Sequence, residues 1–171
     1  MASLILQSLY FFLPAYVANM APVLSRKIPL FATPVSVHYF GDHKTWRGLI
    51  VAPLAGTLVF YIQQVAYNAG FTQMALVQYS DFPFYFGTLL GAGAILGDLL
   101  KSYYKRQAGI APGIPWIPWD QLDFVMGALV GSLILFVPPA EVILTLLLIS
   151  PLLHMLVNMI GYGLGINKNK F

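Results

Sequence analysis

The sequence predicts an all-α integral membrane protein, a bundle of about five transmembrane helices forming a single domain over residues 1–171. Three observations predict it. Apolar residues make up 58% of the chain and charged residues 9%, against about 25% charged in an average soluble domain. So few charges cannot cover a water-facing surface of this size. Five stretches are mostly apolar and near the roughly 20 residues a helix needs to cross the hydrocarbon core. Every lysine and arginine falls in alternate connections between those stretches, or in the tail, as a fixed membrane orientation requires.

The first expected span is Leu4–Leu24. No basic region precedes it and it is too long for a signal-peptide core, so it reads as a retained helix. Arg26, Lys27, Lys44 and Arg47 follow in a long connection, then a second span at Gly48–Asn68. The next connection holds no lysine or arginine. The third span, Phe82–Leu100, carries Gly87, Gly91, Gly93 and Gly97. Glycines four residues apart let helix backbones approach closely. Lys101, Lys105 and Arg106 lie beyond it. A fourth, short span at Leu122–Val137 is separated from the fifth, Glu141–Gly163, by Pro138-Pro139, which break helix continuity. Glu141 then falls in a first turn, where the helix dipole favours an anion. Lys168 and Lys170 sit in the tail.

All nine basic residues thus lie on one side, which the positive-inside rule assigns to the cytoplasm. The expected topology in the cell membrane is N-terminus outside, C-terminus cytoplasmic, with two long cytoplasmic loops. The basic residues form no dense arm, so the net charge of +3 does not predict nucleic-acid binding. The absence of cysteine excludes disulfides and thiolate chemistry. No internal repeat suggests an inverted-repeat transporter.

Positive-inside bias does not explain carboxylates, yet Asp42, Asp98, Asp120 and Asp123 all fall on the basic side. In GDLLKSYYKR, Gly97 to Arg106, a continuing helix would put Asp98, Lys101 and Lys105 on one face. A carboxylate near a helix C-terminus needs a partner against the dipole. Lys101 could be that partner. A divalent cation could be the other, since Mg²⁺ takes one or two carboxylates together with phosphate oxygens. In APGIPWIPWDQLD, Ala111 to Asp123, the prolines exclude helix up to about Pro118. Trp116 and Trp119 are expected at headgroup level. Asp120 and Asp123 open the next helix, either as N-cap and N3 residues or as metal ligands. Three carboxylates and three cations in one hairpin can converge. In GDHKTWRG, Gly41 to Gly48, Lys44 and Arg47 can contact phosphate or anionic lipid. Asn19 sits near the cytoplasmic end of the first span. His154, Asn158 and Tyr162 recur every four residues on the fifth, a stripe that favours bonding across helices. No P-loop, HExxH or GxSxG motif is present.

GDLLKSYYKR, Pro112-Gly113 and PWDQLDF together resemble the membrane CTP transferases, and within them the archaeal CDP-archaeol synthases. PAYVANMAP, GDHKTWRG and HMLVNMIGYGLG are similar too, so the resemblance covers nearly the whole chain. It implies a cytidylyltransferase that moves CMP from CTP to an archaeal ether-lipid phosphate, 2,3-di-O-geranylgeranylglycerol 1-phosphate, with Mg²⁺. The resulting expectations are specific. Asp98, Asp120 and Asp123 hold metal and, with Lys101, are catalytic. Lys44, Arg47, Lys105 and Arg106 bind phosphates, and Asn19 and Asp42 line the site. CTP, the lipid phosphate and membrane lipid are the expected partners, and a homodimer is compatible. The competing class is a small transporter or channel for an anion or lipid. It predicts ionisable groups at the bilayer midplane, where only His154 could lie. A CDP-alcohol phosphotransferase would carry a dense multi-aspartate motif that this chain lacks.

Overall fold

The computed structural model describes residues 3–112 and 114–163. Expectations that fall on Gly113, Leu164, Gly165, Lys168, Lys170 and the side chain of Asn158 lie outside the described residues. Within them, all regular structure is helical apart from one isolated bridge between Pro34 and Thr45.

The first apolar stretch forms two helices, α1 (Leu4–Phe11) and α2 (Leu13–Leu24), bent by 48°. Pro14 explains the break, because it has no N–H to donate to the carbonyl of Tyr10 one turn earlier. That carbonyl is recovered from outside the helix, by the amide Nε2 of the buried Gln63. After the short helix α3 (Val37–Phe40) comes α4 (Trp46–Asn68). Thr45 caps α4, its hydroxyl accepting from the Gly48 N–H at 3.3 Å.

Next, α5 (Phe86–Gln107) runs on past Leu100, as the sequence suggested. It ends at Gly109, whose φ of +72° suits glycine. The N–H groups of Gly109 and Ile110 donate to the carbonyls of Arg106 and Lys105, both at 3.0 Å, closing the helix and reversing the chain. Two helices complete the fold, α6 (Trp119–Ser132) and α7 (Ala140–Gly163), with Glu141 in the first turn of α7.

Among the described residues, two helices are long and apolar enough to cross a membrane, α4 and the Ala140–Val157 part of α7, and the bent α1–α2 pair, taken as one span, is a third. The outward faces agree with a lipid surrounding. Leu54 and Leu58 on α4, Met126 and Val130 on α6, and Leu144 and Leu148 on α7 are all exposed. The interior is filled by Phe11, Phe60, Tyr79, Phe86, Leu90 and Phe124. Aromatic rings pack edge to face near the start of α5, Phe60 and Phe86 at 5.2 Å between centroids.

Glycines set the distances between helices. On α5, Gly87 and Gly91 press against Gly56 and Ala52 of α4, while Gly93 and Gly97 press against α6 at Gly127 and Asp123. A Cβ on Gly97 would run into the carbonyl oxygen of Asp123. Backbone therefore lies on backbone, which only small residues permit. Side-chain hydrogen bonds add to this, Thr57 to Thr88 at 2.6 Å between α4 and α5, and Tyr16 to Ser150 at 2.6 Å between α2 and α7.

Candidate active site

The contact of Gly97 with Asp123 brings the C-terminal half of α5 against the first turns of α6. Lys101, one turn beyond Gly97, then lies among three carboxylates. Its ammonium is 3.3 Å from Asp98, 2.9 Å from Asp120 and 3.0 Å from Asp123. Lys105, a turn further on, donates to both oxygens of Asp120 at 3.2 and 3.0 Å. Asp120 also accepts from the Trp116 N–H at 2.5 Å. It is not the helix N-cap, since α6 begins at Trp119 and Asp120 lies inside its first turn.

The third cation comes from far away in sequence. Lys44 donates to Asp98 at 2.5 Å. The loop before α4 is held so that it can. The Val35 N–H donates to the Lys44 carbonyl at 2.8 Å, and the Trp46 N–H to the Thr33 carbonyl at 3.2 Å. Tyr39 and Phe40 pack on Tyr103 of α5, at 6.0 and 6.4 Å between ring centroids. The three carboxylates therefore face the three ammonium groups of Lys44, Lys101 and Lys105.

The mutual proximity sets the protonation states. Burial disfavours a charged ammonium at Lys101, but Asp98, Asp123 and Asp120 outweigh it and hold its pKa well above the ordinary lysine value. Burial likewise pushes Asp120 up, and Lys101, the Trp116 N–H and Lys105 outweigh it and hold the carboxyl below the usual range.

The three carboxylates, Lys101 and Lys105 open on a polar cavity of about 230 Å³ lined also by Asn19, Gln121 and His154, with Ile114 and Pro115, while Lys44 touches Asp98 from outside that lining. Three of the sequence-derived candidates are elsewhere. Asp42 is 62% exposed and 3.6 Å from His43. Arg47 is buried and donates to the carbonyl of Ile28, fastening the loop to α4. Arg106 is not among the cavity's lining residues, and its Nε is buried without a hydrogen-bond partner among the described residues. Two polar lining residues escaped the sequence reading, Gln121 and His154. Gln121 sits between two aspartates with no pattern of its own. His154 carried a signal, the polar stripe on the fifth span, read there as bonding between helices. Its Nδ1 has no hydrogen-bond partner among the described residues.

Carboxylate oxygens are the donors that Mg²⁺ prefers. Among the described residues, no three His, Cys, Asp or Glu side chains are spaced to hold a metal by themselves. The cluster thus fits a metal that takes one or two carboxylates and completes its shell with phosphate oxygens. The lysines fit the phosphates themselves.

Fold and site together define a helical membrane protein with a charged cavity where α5 and α6 meet. A family profile described as CarS-like, CDP-archaeol synthase, matches residues 1–171, and the chain belongs to that family. It is 34% identical over 166 residues to a CDP-archaeol synthase of Pyrococcus furiosus, covering 92% of this chain and 93% of that one. It is 41% identical over 138 residues to the CDP-archaeol synthase of Methanospirillum hungatei JF-1, covering 75% and 78% of the two chains. A solved structure of an intramembrane enzyme for archaeal membrane lipids biosynthesis superposes with a TM-score of 0.70 at 29% identity, covering 91% of this chain and 94% of that one.

Proposed function

We propose that this chain is a Mg²⁺-dependent cytidylyltransferase that moves CMP from CTP to an archaeal ether-lipid phosphate, releasing pyrophosphate. The observation that carries the reading is Lys101, held by carboxylates from two helices in a cavity of a chain from this family. An oxygen of the lipid phosphate forms a bond to the α-phosphorus of CTP. The bond from that phosphorus to the oxygen bridging to the β-phosphorus breaks, and its electrons leave with pyrophosphate. The attacking oxygen is already anionic, so no strong general base is needed. The chain's task is to align the two phosphates and to neutralise their charge.

Lys44, Lys101 and Lys105 are the neutralising groups, each exchanging part of its carboxylate contact for phosphate oxygens. One or two of Asp98, Asp120 and Asp123 would hold Mg²⁺, which supplies Lewis-acid charge neutralisation at phosphate oxygens. Asn19, Gln121 and His154 line the remaining walls.

The reading includes a topology. In it α5 and α6 also cross the membrane, giving five spans with α1–α2, α4 and α7. Their exposed Leu96, Leu100, Met126 and Val130 support this. The charged cavity faces the cytoplasm at the cell membrane, with the N-terminus outside. A homodimer is compatible with this arrangement.

The test is pyrophosphate release by the purified protein in detergent, with CTP, Mg²⁺ and an ether-lipid phosphate, each omitted in turn. Release should require all three, stop with EDTA and return with added Mg²⁺. Asp123→Asn should lower turnover by roughly two orders of magnitude or more, as for loss of a metal-held transition-state clamp. Near-normal turnover of that variant would remove Asp123 from the site.

A further inference from the structure

The segment that follows α2 has a use that the site chemistry does not explain. One tight helical turn, Ser25–Lys27, continues α2, and the chain then runs out through Ile28, Leu30 and Phe31. All three of these side chains are exposed, Leu30 by 67% and Phe31 by 63%. Arg26 and Lys27 beside them are exposed too, and neither has an ion-pair partner among the described residues. Asp42 is the first acid in the chain. Phe31 is the only non-glycine residue with a positive φ, +51°, among the described residues. That backbone is strained for a bulky side chain, and glycine would adopt it freely. An aromatic ring kept at a position that suits glycine, and left outside the core, has its use outside the core.

The loop is not slack. The Arg47 guanidinium donates to the Ile28 carbonyl. The Arg47 N–H donates to the Phe31 carbonyl at 2.8 Å, and the Trp46 N–H to the Thr33 carbonyl at 3.2 Å. The exposed apolar residues are therefore presented by a pinned backbone, at little further cost in chain entropy.

We infer that Arg26 to Phe31 form an interfacial anchor, with Ile28, Leu30 and Phe31 inserted among lipid headgroups and the two cations holding anionic lipid. The inference rests on the proposed reading of α1–α2 as a span and not on the transferase chemistry. That span uses up the roughly 20 residues a crossing takes, so the chain beyond Leu24 emerges at headgroup level. Apolar side chains beside unpaired cations match an anionic lipid surface in both respects. A free phosphate would leave the apolar residues without a partner. A second copy packed about a two-fold axis would bring the same cations against each other.

The test is a depth measurement on the full chain in lipid vesicles. The chain has no cysteine, so Leu30→Cys carries a unique thiol for an environment-sensitive fluorophore. A nitroxide near the headgroup end of the lipid chains should quench this probe, and aqueous iodide should not. The same probe at His43→Cys, an exposed position, should respond to iodide instead. Leu13→Cys, exposed midway along the α1–α2 pair, should be quenched best by a nitroxide deep in the chains. At equal mole fraction, a nitroxide on an anionic lipid should quench the Leu30 probe several-fold more than one on a zwitterionic lipid. Arg26→Gln combined with Lys27→Gln should make the two equal. Phe31→Gly should weaken quenching at Leu30 several-fold and leave Tm in detergent unchanged or raised, because glycine suits that backbone.

An iodide-accessible Leu30 probe, with Leu13 quenched at depth, would overturn the anchor and leave the span standing. Loss of quenching at both would overturn the span and the anchor together. A Leu30 probe shielded from iodide and nitroxide alike would assign the segment to a protein contact instead. A lowered Tm of Phe31→Gly would make the ring part of the fold and overturn its role in the anchor. Equal quenching by the two lipids in the unsubstituted background would remove the anionic lipid.

Discussion

Lys101 is the residue on which three carboxylates converge. It lies 14% exposed between carboxylates of two helices. The partners are unequal. Asp98 also has Lys44 and Asp120 also has Lys105, whereas Asp123, 5% exposed, has Lys101 as its only ion-pair partner among the described residues. Lys101→Met should therefore strand one buried carboxylate and lower stability by roughly 3–5 kcal/mol, the usual cost of breaking a buried pair from one side. Thermal unfolding in detergent measures it. Lys101→Met combined with Asp123→Asn should recover part of the loss, because the stranded charge is then gone. Strictly additive losses would show that Asp123 and Lys101 are not coupled.

At the level of elements, the site is a product of how α5 meets α6. A charged hairpin could close in several registers, and the glycines select one. Gly97 lets α5 reach the backbone of Asp123, and Lys101 follows one turn later. Gly97→Val would force backbone apart from backbone. It should cost at least the 1–3 kcal/mol typical of overpacking and separate Lys101 from Asp123. The expected readout is a lowered Tm together with loss of CTP-induced thermal stabilisation. A stable variant that still responds to CTP would show that the two helices can slide without harm. Gln63 illustrates a different kind of support. Pro14 breaks the first stretch, and an amide from α4 takes the carbonyl left over. A polar residue buried in a membrane helix there has a structural reason.

For the whole molecule, the asymmetry of charge is the governing feature. The cavity groups lie at one end of α5 and the aromatic cluster around Phe86 at the other. In the proposed topology the loop with Lys44 and the turn after α5 share one side of the membrane. Single cysteines at His43 and Gln73, both exposed positions, should label from opposite sides in sealed vesicles, His43→Cys from the cytoplasmic face. Labelling of both from one face would overturn the five-span arrangement.

Much of this protein can be read from the chain without coordinates. Composition alone requires a lipid environment, because 9% charged residues cannot solvate the exterior. The position of Pro118 fixes where α6 begins, and Pro138 and Pro139 fix where α7 does. Helical spacing put Asp98, Lys101 and Lys105 on one face, and the structure has the two lysines meeting Asp120 and Asp123 across the hairpin. These features are local, set by chain stiffness, proline and a period of 3.6 residues. The tertiary structure alone decided which distant residues join them. Lys44 reaches Asp98 across 54 residues because a loop folds onto α5, while its near neighbour Arg47 turns away to hold Ile28. Asn19 and His154 enter the cavity from α2 and α7. No spacing rule foretells such meetings, since they follow from how glycine-lined helices pack in three dimensions.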